Sequence, residues 1–177
     1  IVGCDKIAKK EVNNSYLEFW EIKYFVNQNY EPTDVGYITN TNPIFGEFST
    51  SKIHNNALKV KIMIKERDVG IKLYENEQKL LVKGNKQDPI EYDIKVKRND
   101  ENIDFIFRGI NETDLVVVGN IISSSHQDTL IHYLKMGGKF DFYLETKNKS
   151  NNKIYEFEIN DESPHGFINA FNQLKSN

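Results

Sequence analysis

The segment Ser123–Leu174 reads SSSHQDTLIHYLKMGGKFDFYLETKNKSNNKIYEFEINDESPHGFINAFNQL, and in it start signals, periodicity and stop signals agree. Ser125 and Asp128 stand three residues apart, like a helix-opening capping pair, ahead of an apolar-periodic run. Gly137-Gly138 supplies a flexible stop. We therefore predict a short helix from Ser125 to Met136.

Two alternating runs follow this helix. Their apolar residues are Phe140, Phe142 and Leu144 in the first run, and Tyr155, Phe157 and Ile159 in the second. The tract Lys147–Lys153 between them is rich in Asn, Lys and Ser, which favour a loop. This pattern predicts a β-hairpin.

A second helix is predicted after the hairpin. Ser163-Pro164 has the form of an N-cap followed by proline at the first helical position. Phe167, Ala170, Phe171 and Leu174 then share one helical face. We expect the chain to close with a helix from Pro164 to Leu174 that buries this face against a sheet.

Length and composition bound the class of protein. At 177 residues the chain suffices for one domain with a sizeable core. The net charge of -3 and the absence of a basic stripe among exposed aromatics argue against nucleic-acid binding. No apolar run approaches the roughly 20 residues that a membrane-spanning helix needs.

The rest of the chain is typical of short antiparallel strands. Alternating or apolar runs occur at Val35–Thr39, Leu58–Ile64, Val69–Leu73, Lys79–Lys83, Ile90–Val96, Ile103–Arg108 and Leu115–Val118. The period of Tyr16–Tyr30 is ambiguous, and its β-branched and aromatic content favours a strand over a helix. Their regular spacing predicts a mainly β fold, an antiparallel β-sandwich or barrel-like domain with one or two C-terminal α-helices.

Several local expectations accompany this prediction. Trp20 is expected in the core rather than in a ligand platform. Pro32 and Asp34 indicate a turn. Phe45 and Phe48 fit either a strand or anchors of a loop. The continuous run Leu115–Val118 predicts a strand buried on both faces.

The only cysteine, Cys4, follows Ile1-Val2-Gly3, and this order resembles the bacterial lipobox. In a lipobox the signal peptide is cut before the cysteine, which is then acylated and holds the domain at a membrane. The alternative is a free terminal cysteine. The lipobox implies a tether at residues 1–15, a single β-rich domain at 16–177, and a periplasmic, membrane-anchored lipoprotein. Asp5 resembles an inner-membrane retention signal.

A search for catalytic or metal-binding motifs finds little. His54, His126, His132 and His165 lack the spacing of zinc sites, and one cysteine cannot build a thiolate site. The serines before His126 lack a nucleophile elbow and fit helix caps better. We therefore predict no catalytic, cofactor-binding or metal-binding residues and no cofactor.

Glycines and carboxylates are given structural roles. Gly36, Gly46, Gly70, Gly84, Gly109 and Gly119 are isolated and are assigned to turns at strand ends. Asp93, Asp104, Asp141, Glu156 and Glu158 alternate with apolar residues and are expected to face solvent. A paired-carboxylate glycosidase is not motivated by this pattern.

The C-terminal third resembles the closing segment of the VasI/TagO-like type VI secretion-associated envelope proteins. The resemblance runs through Asp128–Phe140, Tyr155–Ile159 and the Gly-hydrophobic-x-x-Ala-x-x-x-Leu pattern of Gly166–Leu174. It implies a helix, two strands and a helix, an envelope location, and no catalytic residues.

The sequence is compatible with two classes of function. The first is a protein-binding module without catalysis, either an accessory protein of a secretion system or an immunity protein that neutralises a toxin or cell-wall hydrolase. Its partner is a secretion component, an effector or a cell-wall enzyme. The second is an envelope hydrolase on a β scaffold.

Overall fold

The computed structural model describes residues 19–76, 80–99, 101–119, 124–147 and 152–175, so Cys4 and the predicted tether lie outside the described residues. The elements in chain order are β1 (Trp20–Val26), β2 (Pro32–Asn40), β3 (Ile44–Thr50), β4 (Asn56–Lys65), β5 (Asp68–Glu75), β6 (Leu80–Leu81), β7 (Ile90–Arg98), β8 (Glu101–Asn111), β9 (Val116–Val118), α1 (Ser124–Met136), β10 (Gly138–Thr146), β11 (Lys153–Asp161) and α2 (His165–Lys175).

Eight strands close into an antiparallel barrel. Their hydrogen-bonded order is β4-β3-β11-β10-β7-β8-β9-β5, and β5 pairs with β4 to complete the circle. Closure leaves these strands without free edges. The predicted mainly β fold with C-terminal helices is confirmed, in its barrel form.

Alternation along each strand fills the barrel. In β10, Phe140, Phe142 and Leu144 are buried, while Asp141 between them is exposed. The paired strand β11 buries its own alternate residues, and Phe142 stacks on Phe157 with ring centroids 4.8 Å apart. The predicted hairpin is therefore confirmed, and its apolar face points into the barrel.

The first helix ends as the sequence predicts. Gly137 and Gly138 adopt φ angles of 66° and 111°, which favour glycine. The buried Arg98 guanidinium donates from Nε to the carbonyl of Gly137 at 2.8 Å. A cation at the last turn is favoured by the helix dipole. The helix begins at Ser124, so Ser125 lies in its first turn rather than before it.

The second helix covers β1 and β2. It begins at His165, one residue after the predicted start, and it buries Phe167 and Phe171. Phe167 packs edge-on against Trp20, with ring centroids 5.2 Å apart. The prediction that Trp20 belongs to the core is confirmed, since only 2% of it is exposed.

The first two strands form a ribbon that leaves the barrel. The ladder between β2 and β4 pairs only Ile38 and Thr39 of β2, whereas the ladder between β2 and β1 extends from Pro32 to Asn40. The turn between them lies at Asn27–Tyr30, and Pro32 begins β2. The prediction of a turn at Pro32 and Asp34 is wrong, because proline is tolerated at the first residue of a strand.

Two further expectations are settled by burial. Phe45 and Phe48 belong to strand β3, with Phe48 buried and Phe45 exposed. Leu115–Val118 is not buried on both faces. Val116 and Val118 point into the barrel, whereas Leu115 and Val117 line a surface groove.

The assignment of the glycines to strand ends is wrong for Gly36, Gly46, Gly70 and Gly109, which lie inside strands. Close packing explains them instead. A Cβ on Gly70 would lie 2.5 Å from Leu115, and one on Gly109 would lie 2.7 Å from Ile94 Cδ1. Gly84 and Gly119 lie outside the strands, as predicted, and Gly119 adopts a φ of 95°, which favours glycine.

Candidate functional site

The ribbon formed by β1 and β2 carries exposed apolar side chains. Tyr24, Phe25, Val26, Tyr30 and Val35 are between 37% and 87% exposed, with Tyr30 the most exposed. Contiguous apolar exposure of this kind marks interaction surfaces on folded domains, whereas single exposed residues do not.

Local hydrogen bonds shape the tip of the ribbon. The side-chain oxygen of Asn27 accepts from the backbone N–H groups of Asn29 and Glu31, at 2.8 and 3.0 Å. Tyr30 adopts a φ of 63°, so its side chain leaves the turn in an unusual direction. The pairing register shifts between Tyr24 and Val26, which is typical of a bulge that increases twist.

An apolar groove of about 570 Å³ lies between the ribbon and the outside of the barrel. Phe25 and Tyr37 line it from the ribbon, with their rings 4.8 Å apart. Ile110, Leu115 and Val117 line it from the barrel. The rim holds charges of both signs, from Lys65, Asp68 and Glu112.

Lysines cluster on the outer face of β1, β4 and β5. Lys61 stands opposite Lys72 in the β4–β5 ladder, and Lys23 and Lys59 line the same shallow pocket as Lys61. Burial lowers the pKa of Lys61, and Lys23 and Lys72 lower it further. Lys23 and Lys72 are bound to carboxylates at 2.7 and 2.8 Å, so this cluster is partly neutralised.

A polar cluster lies at one end of the barrel interior. Glu75 Oε1 accepts a hydrogen bond from the Tyr155 hydroxyl at 2.8 Å, and Lys153 Nζ lies 2.8 and 3.1 Å from the two carboxylate oxygens. Burial raises the pKa of Tyr155, and the charge of Glu75 raises it further. The phenol therefore stays a hydrogen-bond donor at neutral pH.

Tyr92 and Asn111 border this cluster. The Asn111 side chain accepts from the backbone N–H of Gly84 at 3.1 Å and donates to the carbonyl of Val82 at 3.3 Å. Burial raises the pKa of Tyr92, and its buried hydroxyl has no hydrogen-bond partner among the described residues. The neighbouring Asn111 opposes this rise, although the two side chains do not form a hydrogen bond.

The side chains of the Glu75 cluster bind one another and so hold strands of the barrel together. Its carboxylate is already engaged by an ammonium group and a phenol, and both phenols of the cluster hold their protons more tightly than free tyrosine. No serine or cysteine nucleophile belongs to it among the described residues. The cluster joins β5 to β11, two strands that are not neighbours in the barrel.

The other end of the barrel holds a second buried carboxylate. Trp20 Nε1 donates to Asp161 Oδ2 at 2.8 Å. Burial raises the pKa of Asp161, while this hydrogen bond lowers it. The bond joins the base of the ribbon to the end of β11.

Three of the four histidines named in the search for zinc sites can be placed. His54, His132 and His165 are exposed and lie on different parts of the fold, whereas the side chain of His126 lies outside the described residues. Within the described ranges, no group of three or more His, Cys, Asp or Glu side chains is placed to hold a metal ion. Of the carboxylates expected to face solvent, Asp141, Glu156 and Glu158 are exposed and Asp93 is partly so, and the side chain of Asp104 lies outside the description.

Sequence reasoning missed the buried polar residues. In β5, β7 and β11 every second residue is buried, and Glu75, Arg98 and Asp161 occupy the next position of that alternation. The alternation could have revealed them, because a charged residue two positions after a buried apolar residue of a strand points to the same face.

Neither described helix is long and apolar enough to cross a membrane. Comparison of the chain with protein-family models, curated proteins and solved structures gives no match.

Proposed function

We propose that this chain is a non-catalytic, lipid-anchored module of the bacterial cell envelope that binds another protein. The observation that carries the binding role is the set of exposed apolar side chains on the projecting ribbon, from Tyr24 to Val35. Aromatic anchors of this type contribute most of the energy at protein interfaces. An enclosed, chemically equipped cleft would instead favour an enzyme.

The groove suggests what the partner presents. Its floor is apolar and its rim carries both signs of charge, which suits an apolar segment flanked by polar residues. A secretion component, a secreted effector or a cell-wall enzyme presents such a segment to an accessory module. We infer an association with type VI secretion from the resemblance of the C-terminal third to the VasI/TagO-like envelope proteins.

Site-specific crosslinking in the envelope tests the binding role. A photo-crosslinking amino acid at Tyr30 or Val35 is expected to trap one and the same protein, whereas the probe at Phe45, an exposed residue on β3 outside the ribbon, is not. Unlabelled wild-type protein should compete, and the Tyr30→Ser/Val35→Ser variant should not. Equal crosslinking from all three positions would contradict the role of the ribbon.

The envelope location rests on Cys4. Expression of the precursor with Cys4→Ala, followed by membrane fractionation and intact-mass measurement, tests it. We expect the wild-type protein in the membrane fraction with two or three acyl chains, because one chain gives only marginal binding. Unlipidated wild-type protein in the soluble fraction would reduce Cys4 to an ordinary thiol.

An inhibitor or immunity role is the alternative that the ribbon tip favours. A narrow hairpin that ends in an 87% exposed tyrosine is shaped to enter the concave site of an enzyme. If the trapped partner is a toxin or a cell-wall hydrolase, the wild type should inhibit it and Tyr30→Ser should lose most of that inhibition.

An envelope hydrolase is the remaining alternative. Purified protein incubated with peptidoglycan, lipids and simple esters is expected to give no turnover. Turnover of any of these substrates would overturn the binding-only proposal.

A further inference from the structure

Strand β1 lies at one edge of the sheet that the described residues form. Among the described residues it pairs only with β2, so one side of its backbone has no strand partner. A free edge is a template for pairing with another strand, and folded proteins usually block it with charges, bulges or a short strand. β1 is seven residues long, and its bulge lies near its far end, at Tyr24 and Val26.

The hydrogen-bond pattern shows which residues present their backbone at this edge. The Thr41 N–H donates to the Phe19 carbonyl at 2.8 Å, so Phe19 belongs to a hydrogen-bonded pair. Such pairs alternate with non-hydrogen-bonded ones along an antiparallel ladder. The N–H and C=O groups of Trp20, Ile22 and Tyr24 therefore point outward, away from β2.

The residue types of β1 are arranged symmetrically about Ile22, with an acidic residue on one side matched by a basic residue on the other. The order from Phe19 to Phe25 is aromatic, aromatic, acidic, aliphatic, basic, aromatic, aromatic. If a second copy lies antiparallel with Ile22 opposite Ile22, then Glu21 faces Lys23, Trp20 faces Tyr24, and Phe19 faces Phe25. Every opposed pair is favourable in a sheet.

We propose that two copies of this chain form a symmetric dimer by pairing their β1 edges about Ile22. The outward N–H and C=O groups of Trp20, Ile22 and Tyr24 bond across the two-fold axis. Glu21 and Lys23 then lie in non-hydrogen-bonded pairs, where opposed side chains approach most closely. The lysine that would ordinarily protect this edge is matched by the glutamate two residues before it.

The assembly stops at two copies. A two-fold axis uses the same edge of both chains and closes the interface. The other end of the described sheet is β6, which has only two residues, Leu80 and Leu81. A strand of that length offers too few groups to extend the sheet.

Charge exchange between two variants tests the pairing. Sedimentation of the full chain is expected to give a mass twice the 20.6 kDa of one copy. Glu21→Lys and Lys23→Glu each place like charges opposite each other in both pairs, so each alone should dimerise at least about tenfold more weakly. An equimolar mixture of the two variants should recover the wild-type affinity, because every cross-strand pair is again complementary.

This design separates the dimer contact from the contact within one chain. Lys23 and Glu21 lie 2.7 Å apart in the same strand, and both variants break that ion pair, in the mixture as well as alone. Glu47→Lys makes the same charge change on β3, away from the edge, and should leave dimerisation unchanged.

Hydrogen exchange gives a second readout. Amide protons of Ile22 and Tyr24 should become protected as protein concentration rises, whereas those of Glu21 and Lys23, which bond to β2, should be protected throughout. A wild-type mass of one copy at about 1 mM protein would overturn the proposal, since even weak complexes form there. A mixture no tighter than its components would do the same.

Discussion

The hydroxyl of Tyr155 on β11 donates a 2.8 Å hydrogen bond to Glu75 Oε1 on β5, two strands that do not pair in the barrel. Lys153 binds the same carboxylate. This contact crosses one end of the barrel interior. It holds together the ends of two strands that are not adjacent in the sheet. It is a polar counterpart to the apolar packing of the barrel.

Removal of the Glu75 side chain is expected to destabilise the fold far more than removal of one hydroxyl. Glu75→Ala leaves a buried phenol and an ammonium group without their acceptor and should cost about 3–5 kcal/mol. Tyr155→Phe leaves the Lys153 contact in place and should cost about 1 kcal/mol. Urea denaturation measures both. Glu156→Ala on the exposed face of β11 is the control, and equal costs for the three variants would contradict the role of the cluster.

Asp161 should make stability depend on pH. Burial raises its folded pKa above the unfolded value of about 4, so the folded state binds the proton more tightly. The ionised carboxyl therefore destabilises the fold at neutral pH, and this cost is lost as pH falls through the folded pKa toward the unfolded value. We expect the stability advantage of Asp161→Asn over wild type to grow as pH rises above about 4 and then level off.

Unfolding in urea at a series of pH values measures this difference. Trp20→Phe removes the N–H that stabilises the carboxylate and should move the levelling to higher pH. A difference between Asp161→Asn and wild type that is constant with pH would show that the carboxyl is solvated.

Phe171 should anchor α2. Phe171 is 6% exposed, and Lys135 Nζ lies 3.7 Å from the centroid of its ring. Phe171→Ala removes a buried aromatic ring and should cost about 3–5 kcal/mol of the free energy of unfolding. Gln173→Ala, on the exposed side of the same helix, should change stability by less than about 0.5 kcal/mol. An unchanged denaturant midpoint for Phe171→Ala would identify this face as exposed.

Gly109 should be intolerant of a side chain for a steric reason. A Cβ there would lie 2.7 Å from Ile94 Cδ1 and 2.9 Å from Val116 Cγ1, so Gly109→Ala should cost about 1–3 kcal/mol. Ile94→Val removes the nearer methyl group. In the Gly109→Ala background, Ile94→Val should therefore cost less than it does alone, which a double-mutant cycle in urea measures. Additive costs would mean that the clash is relieved elsewhere.

The elements of the fold follow from local patterns. Alternation in β4, β7, β10 and β11 and the 3.6-residue period in α2 each concern residues that are near in sequence, so they are readable without the tertiary structure. The end of α1 at Met136, just before Gly137, is readable for the same reason. Pro32 misled because a proline that opens a strand and a proline in a turn look alike in sequence.

The candidate sites depend on contacts between residues far apart in the chain. Glu75 and Tyr155 are 80 residues apart, and no local pattern brings them together. The exposure of Tyr24 and Phe25 follows from β2 bonding to β4 through only two residues.

The sequence by itself determined the two helices, the C-terminal hairpin and the alternating strands β4 and β7, together with their apolar faces, because side-chain alternation and helical period are properties of the local backbone. It did not determine the start of β2, the strand at Phe45 and Phe48, or the exposed face of β9. Only the tertiary structure decided that the sheet closes into a barrel, that the ribbon leaves it, and that β1 lies at an edge of the sheet formed by the described residues. These features depend on which strands pair. The residues of a strand specify which of its faces is buried more strongly than they specify which strand lies beside it.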